Sequence, residues 1–137
     1  MKPTRSCEIY IDGASRGNPG PAGAGAVFLD GQARMIHRFS KYLGETTNNV
    51  AEYLALVYAL QEALQHGYGA VAVKTDSELL ERQVTGIYKV RDQQLRMLHD
   101  LVRHLADGFQ QFSIVHIPRT ENRAADRLAG QAVQSHR

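Results

Sequence analysis

Between about Asn49 and His66 the chain carries a segment that is apolar on nearly every side. Val50, Tyr53, Leu54, Val57, Leu60 and Leu64 recur at a 3.6-residue period. Ala55, Ala59 and Ala63 make much of the remaining surface small and apolar as well. A helix of this kind is buried on more than one side, so the pattern predicts a central helix, ended by Gly67. Glu52 sits near its start, in line with Ala59 and Ala63. A carboxylate in that company needs a partner. One candidate is a capping box, with Asn49 as N-cap and Glu52 reaching back to the backbone. The other is a chemical site at the start of the helix. Spacing alone leaves both open.

The segments around this helix read as strands and further helices. A short strand, about Cys7 to Asp12, ends in Asp12-Gly13. Gly13 to Gly23, eleven residues of small and turn-forming types, reads as a long loop, followed by a strand at Ala24 to Leu29. That loop is too long for the two-residue hairpin turn that Asp-Gly often signals. It also lacks the G-K-[ST] and G-x-G-x-x-G patterns of nucleotide-binding loops. Asp30-Gly31 fits a tight hairpin into a third strand, about Arg34 to Leu43, whose mixed polarity suits a sheet edge.

After the central helix, Ala70 to Thr75 reads as a strand that runs into Asp76-Ser77-Glu78 and a short helix broken by Gly86. Asp76 or Ser77 could cap that helix. A helix over Asp92 to Ala106 carries Leu95, Leu98, Val102 and Leu105 on one face, widened by Met97 and Leu101. A strand from Phe112 to Ile117 stops at Pro118, and a last helix starts near Asn122, with its end fraying from about Gln134. The order β-β-β-α-β-α-α-β-α implies an antiparallel meander followed by right-handed parallel crossovers. The predicted fold class is therefore α/β: a mixed five-stranded sheet with helices on both faces, one domain over residues 1–137.

Net charge is only +2, so any nucleic-acid surface must be local. Cys7 is the only cysteine, which excludes an internal disulfide and suits a reducing compartment such as the cytoplasm. Lys2 and Arg5 are not followed by an apolar run of signal-peptide type, and no segment has transmembrane length, so no membrane is expected.

Four acids stand at element ends: Asp12 ends the first strand, Glu52 opens the central helix, Asp76 ends the fourth strand and Asp126 begins the last helix. Asp126 alone would be an ordinary boundary acid. Parallel pairing of the first and fourth strands would bring Asp12 and Asp76 out side by side. Carboxylates so placed repel and raise one another's pKa unless a cation lies between them. Mg²⁺ or Mn²⁺ suits an all-oxygen donor set.

The segments YIDGASRGNPGPAGAG, TTNNVAEYLALVYAL, TDSELL and RTENRAADRLA resemble, in order and context, the four motifs of the type 1 ribonuclease H family. The resemblance spans about Ile9 to Ala132. It implies the ribonuclease H-like fold, with strand two antiparallel to the others. It also implies endonucleolytic hydrolysis of the RNA strand of RNA–DNA hybrids, leaving 5′-phosphate and 3′-hydroxyl ends. The family's four acidic positions fall on Asp12, Glu52, Asp76 and Asp126, expected to hold two Mg²⁺ or Mn²⁺ ions. Asp12 would bridge both, Glu52 and Asp76 would hold the one on the leaving-group side, and Asp126 the one that delivers water.

Asn18, Thr47, Asn48 and Asn49 match positions where the family contacts sugar and phosphate. Read without the family, they are an Asn-Pro turn and a helix cap. Where many members carry a loop His before the last acid, Arg119 is the nearest basic residue, and His116 reads as structural in strand five. Only Lys89, Arg91 and Arg96 mark the place of a basic insertion found in many bacterial members, and Glu78 stands where an amide is common. The implied partner is an RNA–DNA hybrid, with double-stranded RNA as a further one, and the implied state is a monomer. Competing readings are a non-catalytic hybrid- or double-stranded-RNA-binding module of the same fold, and a fold relative such as a 3′–5′ exonuclease or transposase-type nuclease.

Overall fold

Strands and helices follow in the predicted order in the computed structural model, which describes residues 4–136. Lys2 lies outside the described residues, as does Arg137. The elements are β1 (Ser6–Ser15), β2 (Gly20–Leu29), β3 (Met35–Thr46), α1 (Asn48–Gln65), β4 (Ala70–Thr75), α2 (Glu78–Val84), α3 (Gln93–Ala106), β5 (Gln111–His116) and α4 (Arg123–Ser135), with a short 3₁₀ turn at Arg119–Glu121 before α4. The sheet order is β3-β2-β1-β4-β5. β2 runs antiparallel to β1 and β3, while β1, β4 and β5 are parallel.

One face of the sheet holds the large side chains. Ile9 and Ile11 of β1, Phe28 of β2 and Val73 of β4 meet Tyr53, Leu56 and Leu60 of α1, all fully or almost fully buried. α3 covers α1 from its far side, contributing buried Leu95 and Val102. The all-round apolar helix is thus enclosed between sheet and α3, as its composition requires. Met97 and Leu101, expected to widen the buried face of α3, are instead exposed.

The other face is covered by α4 and is built from small residues. Ala125, Ala129 and Ala132 press onto β2, where a Cβ at Gly23 would lie 2.4 Å from the Ala129 carbonyl oxygen and one at Gly25 2.4 Å from that of Ala125. This close crossing corrects the long loop expected between Gly13 and Gly23. β1 continues to Ser15 and β2 starts at Gly20, so only Arg16 to Pro19 connect them. Ala22, Gly23 and Ala24 pair in register with Ser15, Ala14 and Gly13. The small residues are strand residues, selected by the nearness of α4 rather than by a turn. α4 continues through Ser135, and His136 stacks on Tyr42 of β3 at 3.6 Å between ring centroids, where fraying was expected. Among the described residues, no helix is long and apolar enough to cross a membrane.

Candidate active site

Parallel pairing of β1 with β4 sets Ile11 opposite Thr75. The next residues therefore come out side by side: Asp76 lies just past the end of β4, while Asp12, expected to end its strand, is still within β1 and pairs with Gly25 of β2. The start of α1 comes down on Gly13 so closely that a Cβ there would lie 2.2 Å from the Ala51 carbonyl oxygen. Only glycine permits this approach. It carries Glu52 to β1, where Glu52 Oε1 accepts a 2.7 Å hydrogen bond from the Gly13 amide.

The capping box does not form. Thr47, not Asn49, is the N-cap of α1, and its Oγ1 accepts from the Val50 amide at 3.2 Å. The helix thus begins two residues earlier than a cap at Asn49 would place it, and Glu52 lies beyond the first turn, out of reach of the cap. Ser77 caps α2 by accepting from the Leu80 amide, which leaves the Asp76 carboxylate for other work.

Asp12, Glu52 and Asp76 each offer a carboxylate oxygen, and these oxygens lie within 4.8 Å of one another. Asp12 is 5% and Glu52 8% exposed. Burial, followed by the charges of Glu52 and Asp76, pushes the Asp12 carboxyl far above the usual carboxylate range, and Asp126 adds to the rise. Burial also raises Glu52, against the pull of the Gly13 amide. Three crowded acids therefore resist ionisation, and a hard divalent cation among them removes that conflict. The donor chemistry, oxygen alone, fits Mg²⁺ or Mn²⁺ better than a softer ion.

Asp126 takes a different position. Its side chain is 42% exposed and lines the same cleft, of ≈ 440 Å³, without joining the tight trio. Arg119 also lines the cleft, with one guanidinium nitrogen 3.8 Å from Asp126 Oδ1. His116 is the exposed last residue of β5, opposite Thr75. A slightly larger cavity, ≈ 470 Å³, opens around Ser6, Glu8, Asp30 and Gln111 but holds no comparable cluster among the described residues.

The amide-bearing positions fasten the β1–β2 connection to α1. Asn18 Oδ1 accepts from the Asn48 amide at 2.9 Å, and Asn48 Oδ1 accepts from the Ser15 amide at 3.0 Å. Asn48 and Asn49 line the cleft. Lys89, Arg91 and Arg96 are exposed near the α2–α3 connection, and Glu78 is exposed 3.7 Å from Arg82.

The sequence reading missed one residue of the site. Asn122, read only as the start of the last helix, is 1% exposed and makes no side-chain cap. Its Nδ2 donates to the Ile11 carbonyl at 2.8 Å and to Asp76 Oδ2 at 3.2 Å. It therefore ties the start of α4 to β1 and orients Asp76. Its presence in the RTENRAAD segment was the available signal, but its burial was not visible there.

Residues 10–132 match the family model described as reverse transcriptase-like. The chain is 43% identical to the ribonuclease HI of Halobacterium salinarum over 97% of its own length and 68% of that protein. It is 41% identical to a bifunctional protein of Mycobacterium tuberculosis over 93% of its length, spanning 35% of that protein. Among solved structures, the RNase H1 of Halobacterium salinarum superposes with a TM-score of 0.93 at 41% identity, covering 95% of this chain and 98% of that one. LC11-RNase H1, solved in complex with an RNA/DNA hybrid, superposes with a TM-score of 0.90 at 42% identity, covering 94% and 97%.

Proposed function

This chain belongs to the ribonuclease H family, and from that membership and the acidic cleft we infer that it is an endoribonuclease that hydrolyses the RNA strand of RNA–DNA hybrids. The observation that carries the reading is the meeting of Asp12, Glu52 and Asp76, two of them buried, at the junction of β1, β4 and α1. Crowded oxygen donors at this density make sense when a divalent cation neutralises them.

We propose that Asp12, Glu52 and Asp76, with Asp126 beside them, would hold two Mg²⁺ or Mn²⁺ ions. Ions bound there would supply a water of lowered pKa and stabilise the departing 3′ oxygen. The chain's own groups hold the geometry. Gly13 fixes one oxygen of Glu52 through its amide, and Asn122 orients Asp76. Arg119, at the exposed rim 3.8 Å from Asp126, would pair with a phosphate oxygen and help draw the 5′-phosphate away. Asn18, Thr47, Asn48 and Asn49 are proposed sugar and phosphate contacts, where amides can both donate to and accept from 2′-hydroxyls. In this reading the chain is a single monomeric domain. A cytoplasmic setting agrees with Cys7, a lone buried thiol pushed up to about 11 by burial.

The test is cleavage of end-labelled RNA–DNA hybrid, DNA duplex and RNA duplex, with and without Mg²⁺ or Mn²⁺. The reading expects metal-dependent cuts in the RNA of the hybrid, with 5′-phosphate ends, and none in DNA duplex. Hybrid binding without cleavage under any metal condition would make the chain a binding module instead. The RNA duplex decides whether that substrate is shared.

A further inference from the structure

A second trio of metal-capable groups converges far from the acidic cleft: His37, Glu62 and His66. Glu62, in the last turn of α1, and His66, its C-cap, are four residues apart and so share a face. His37 comes from the edge strand β3. It pairs in register with Phe28, a core residue facing α1, and the two rings meet edge to face at 5.2 Å. The edge of the sheet and the end of the helix therefore meet at these three side chains.

Their ligand atoms lie within 4.8 Å of one another. Glu62 Oε2 is 2.9 Å from His37 Nε2 and 3.4 Å from His66 Nε2. A tetrahedral site with bonds of about 2.0–2.1 Å has donor–donor edges of about 3.3 Å. Both separations are close to that edge. Two imidazoles thus crowd one carboxylate oxygen. His37 Nε2 is also closed to solvent and makes no hydrogen bond, although Glu62 Oε2 lies 2.9 Å away. Such a buried polar atom calls for a partner, and an ion between the three groups would supply it.

The surroundings suit a cation. His66 is the C-cap of α1, the end where the helix dipole favours positive charge. Arg5 also reaches this end, but it donates to the His66 carbonyl oxygen rather than facing the ring nitrogen. The His66 side chain is 51% exposed, which leaves an entry path and room for a water as fourth ligand.

We propose that His37, Glu62 and His66 bind a transition-metal ion of the Zn²⁺ class, which staples edge strand β3 to the C-terminal end of α1. Two imidazoles and one carboxylate select a borderline ion over Mg²⁺. Glu62 lies ten residues beyond Glu52 on the same helix, about 15 Å along its axis. The role of the site is therefore structural and separate from hydrolysis.

The experiment uses untagged, metal-stripped protein titrated with Co²⁺ alone, followed by visible absorption, and then with Zn²⁺, followed by thermal melting. The expected result is one equivalent of Co²⁺ with the intense band of tetrahedral coordination, displaced by Zn²⁺. Zn²⁺ should raise the melting temperature by about 5 °C. Both responses should persist in Asp12→Asn and vanish in His66→Ala and Glu62→Gln. The latter two variants should still melt cooperatively without metal, because the groups they alter are partly exposed. A tetrahedral band that survives His66→Ala, one lost in Asp12→Asn, or no band and no Zn²⁺ shift in the wild type would each overturn the proposal.

Discussion

The two ends of α1 present the same residue type in opposite settings. Glu52, near the start, is buried beside two aspartates and accepts from the Gly13 amide. Glu62, near the end, is one-third exposed and faces two imidazoles. The helix dipole disfavours an acid in the last turn, where Glu62 stands, whereas Glu52 lies beyond the first turn and gains little from it. The difference shows that the company a carboxylate keeps decides its chemistry. Crowding by other oxygens at low exposure demands a hard divalent cation. Imidazoles at moderate exposure offer a site for a softer one.

The largest effect should come from the acidic end. Asp12→Asn keeps the shape of the side chain and removes the charge at the centre of the trio. Turnover on RNA–DNA hybrid should fall on the order of 10³-fold or more, with ~4 kcal/mol lost from transition-state stabilisation. Hybrid binding should remain. A rate near wild type from a purified, metal-saturated sample would dissolve the assignment of this end as catalytic.

The comparison is sharpened by making one substitution at both ends. Glu52→Gln retains an acceptor for the Gly13 amide, so its melting temperature should stay within about 2 °C of wild type. Its turnover should fall at least ~10²-fold, because the lost charge faces the ions. Glu62→Gln should leave turnover within about twofold. Equal losses in the two variants, measured on the same hybrid, would mean that the ends of α1 are not functionally distinct.

How far the sequence announces these sites depends on what kind of residue builds them. The order of elements along the chain, the central helix and the edge character of β3 follow from hydrophobic period and turn chemistry. So does the shared edge of Asp12 and Asp76, once β1 and β4 are taken as parallel neighbours. The start of β2 does not follow. Gly20 to Ala26 has no long side chains to alternate, and the reason for its glycines, the passage of α4, is a tertiary contact. The capping box failed for a related reason. Several residues in TTNN can cap, and only the approach of α1 to Gly13 decides that Thr47 does so while Glu52 turns to the strand. Asn122 is polar and buried, a combination that composition cannot show. His37 is more than twenty residues from Glu62, so its place beside that acid depends on the pairing of β3 with β2.

A smaller effect is expected at the rim. Arg119→Ala should lower turnover about three- to tenfold, and Arg119→Lys should recover part of it through charge alone. An 80% exposed side chain carries little of the fold, so melting should not change. Guanidinium does not titrate near neutral pH, so the pH–rate profile should keep its shape. Wild-type turnover at saturating hybrid in Arg119→Ala would leave the cleft with its acids and ions alone.

The last effect is a pH dependence of stability, confined to the metal-free protein. Asp12 and Glu52 have folded-state pKa values raised above the ordinary carboxylate range, first by burial and, for Asp12, then by neighbouring charge. A group raised in the folded state binds its proton more tightly there than in the unfolded chain. Its contribution to stability is complete below the unfolded value, near 4, and is lost as the pH climbs through the raised folded value. Asp12→Asn removes one such group. The melting temperature of the metal-free variant, relative to metal-free wild type, should therefore increase steadily from about pH 5 to pH 8. Linkage limits the rise to ~1.4 kcal/mol per pH unit for one proton. Saturating Mg²⁺ or Mn²⁺ should close the gap by stabilising the wild type, because the ion binds the ionised carboxylates. Glu62→Gln, at the other end of the helix, should show no divergence of this kind. A gap between Asp12→Asn and wild type that stays flat with pH would mean that the acids at the start of α1 are not in electrostatic conflict, and the contrast between the two ends would lose its physical basis.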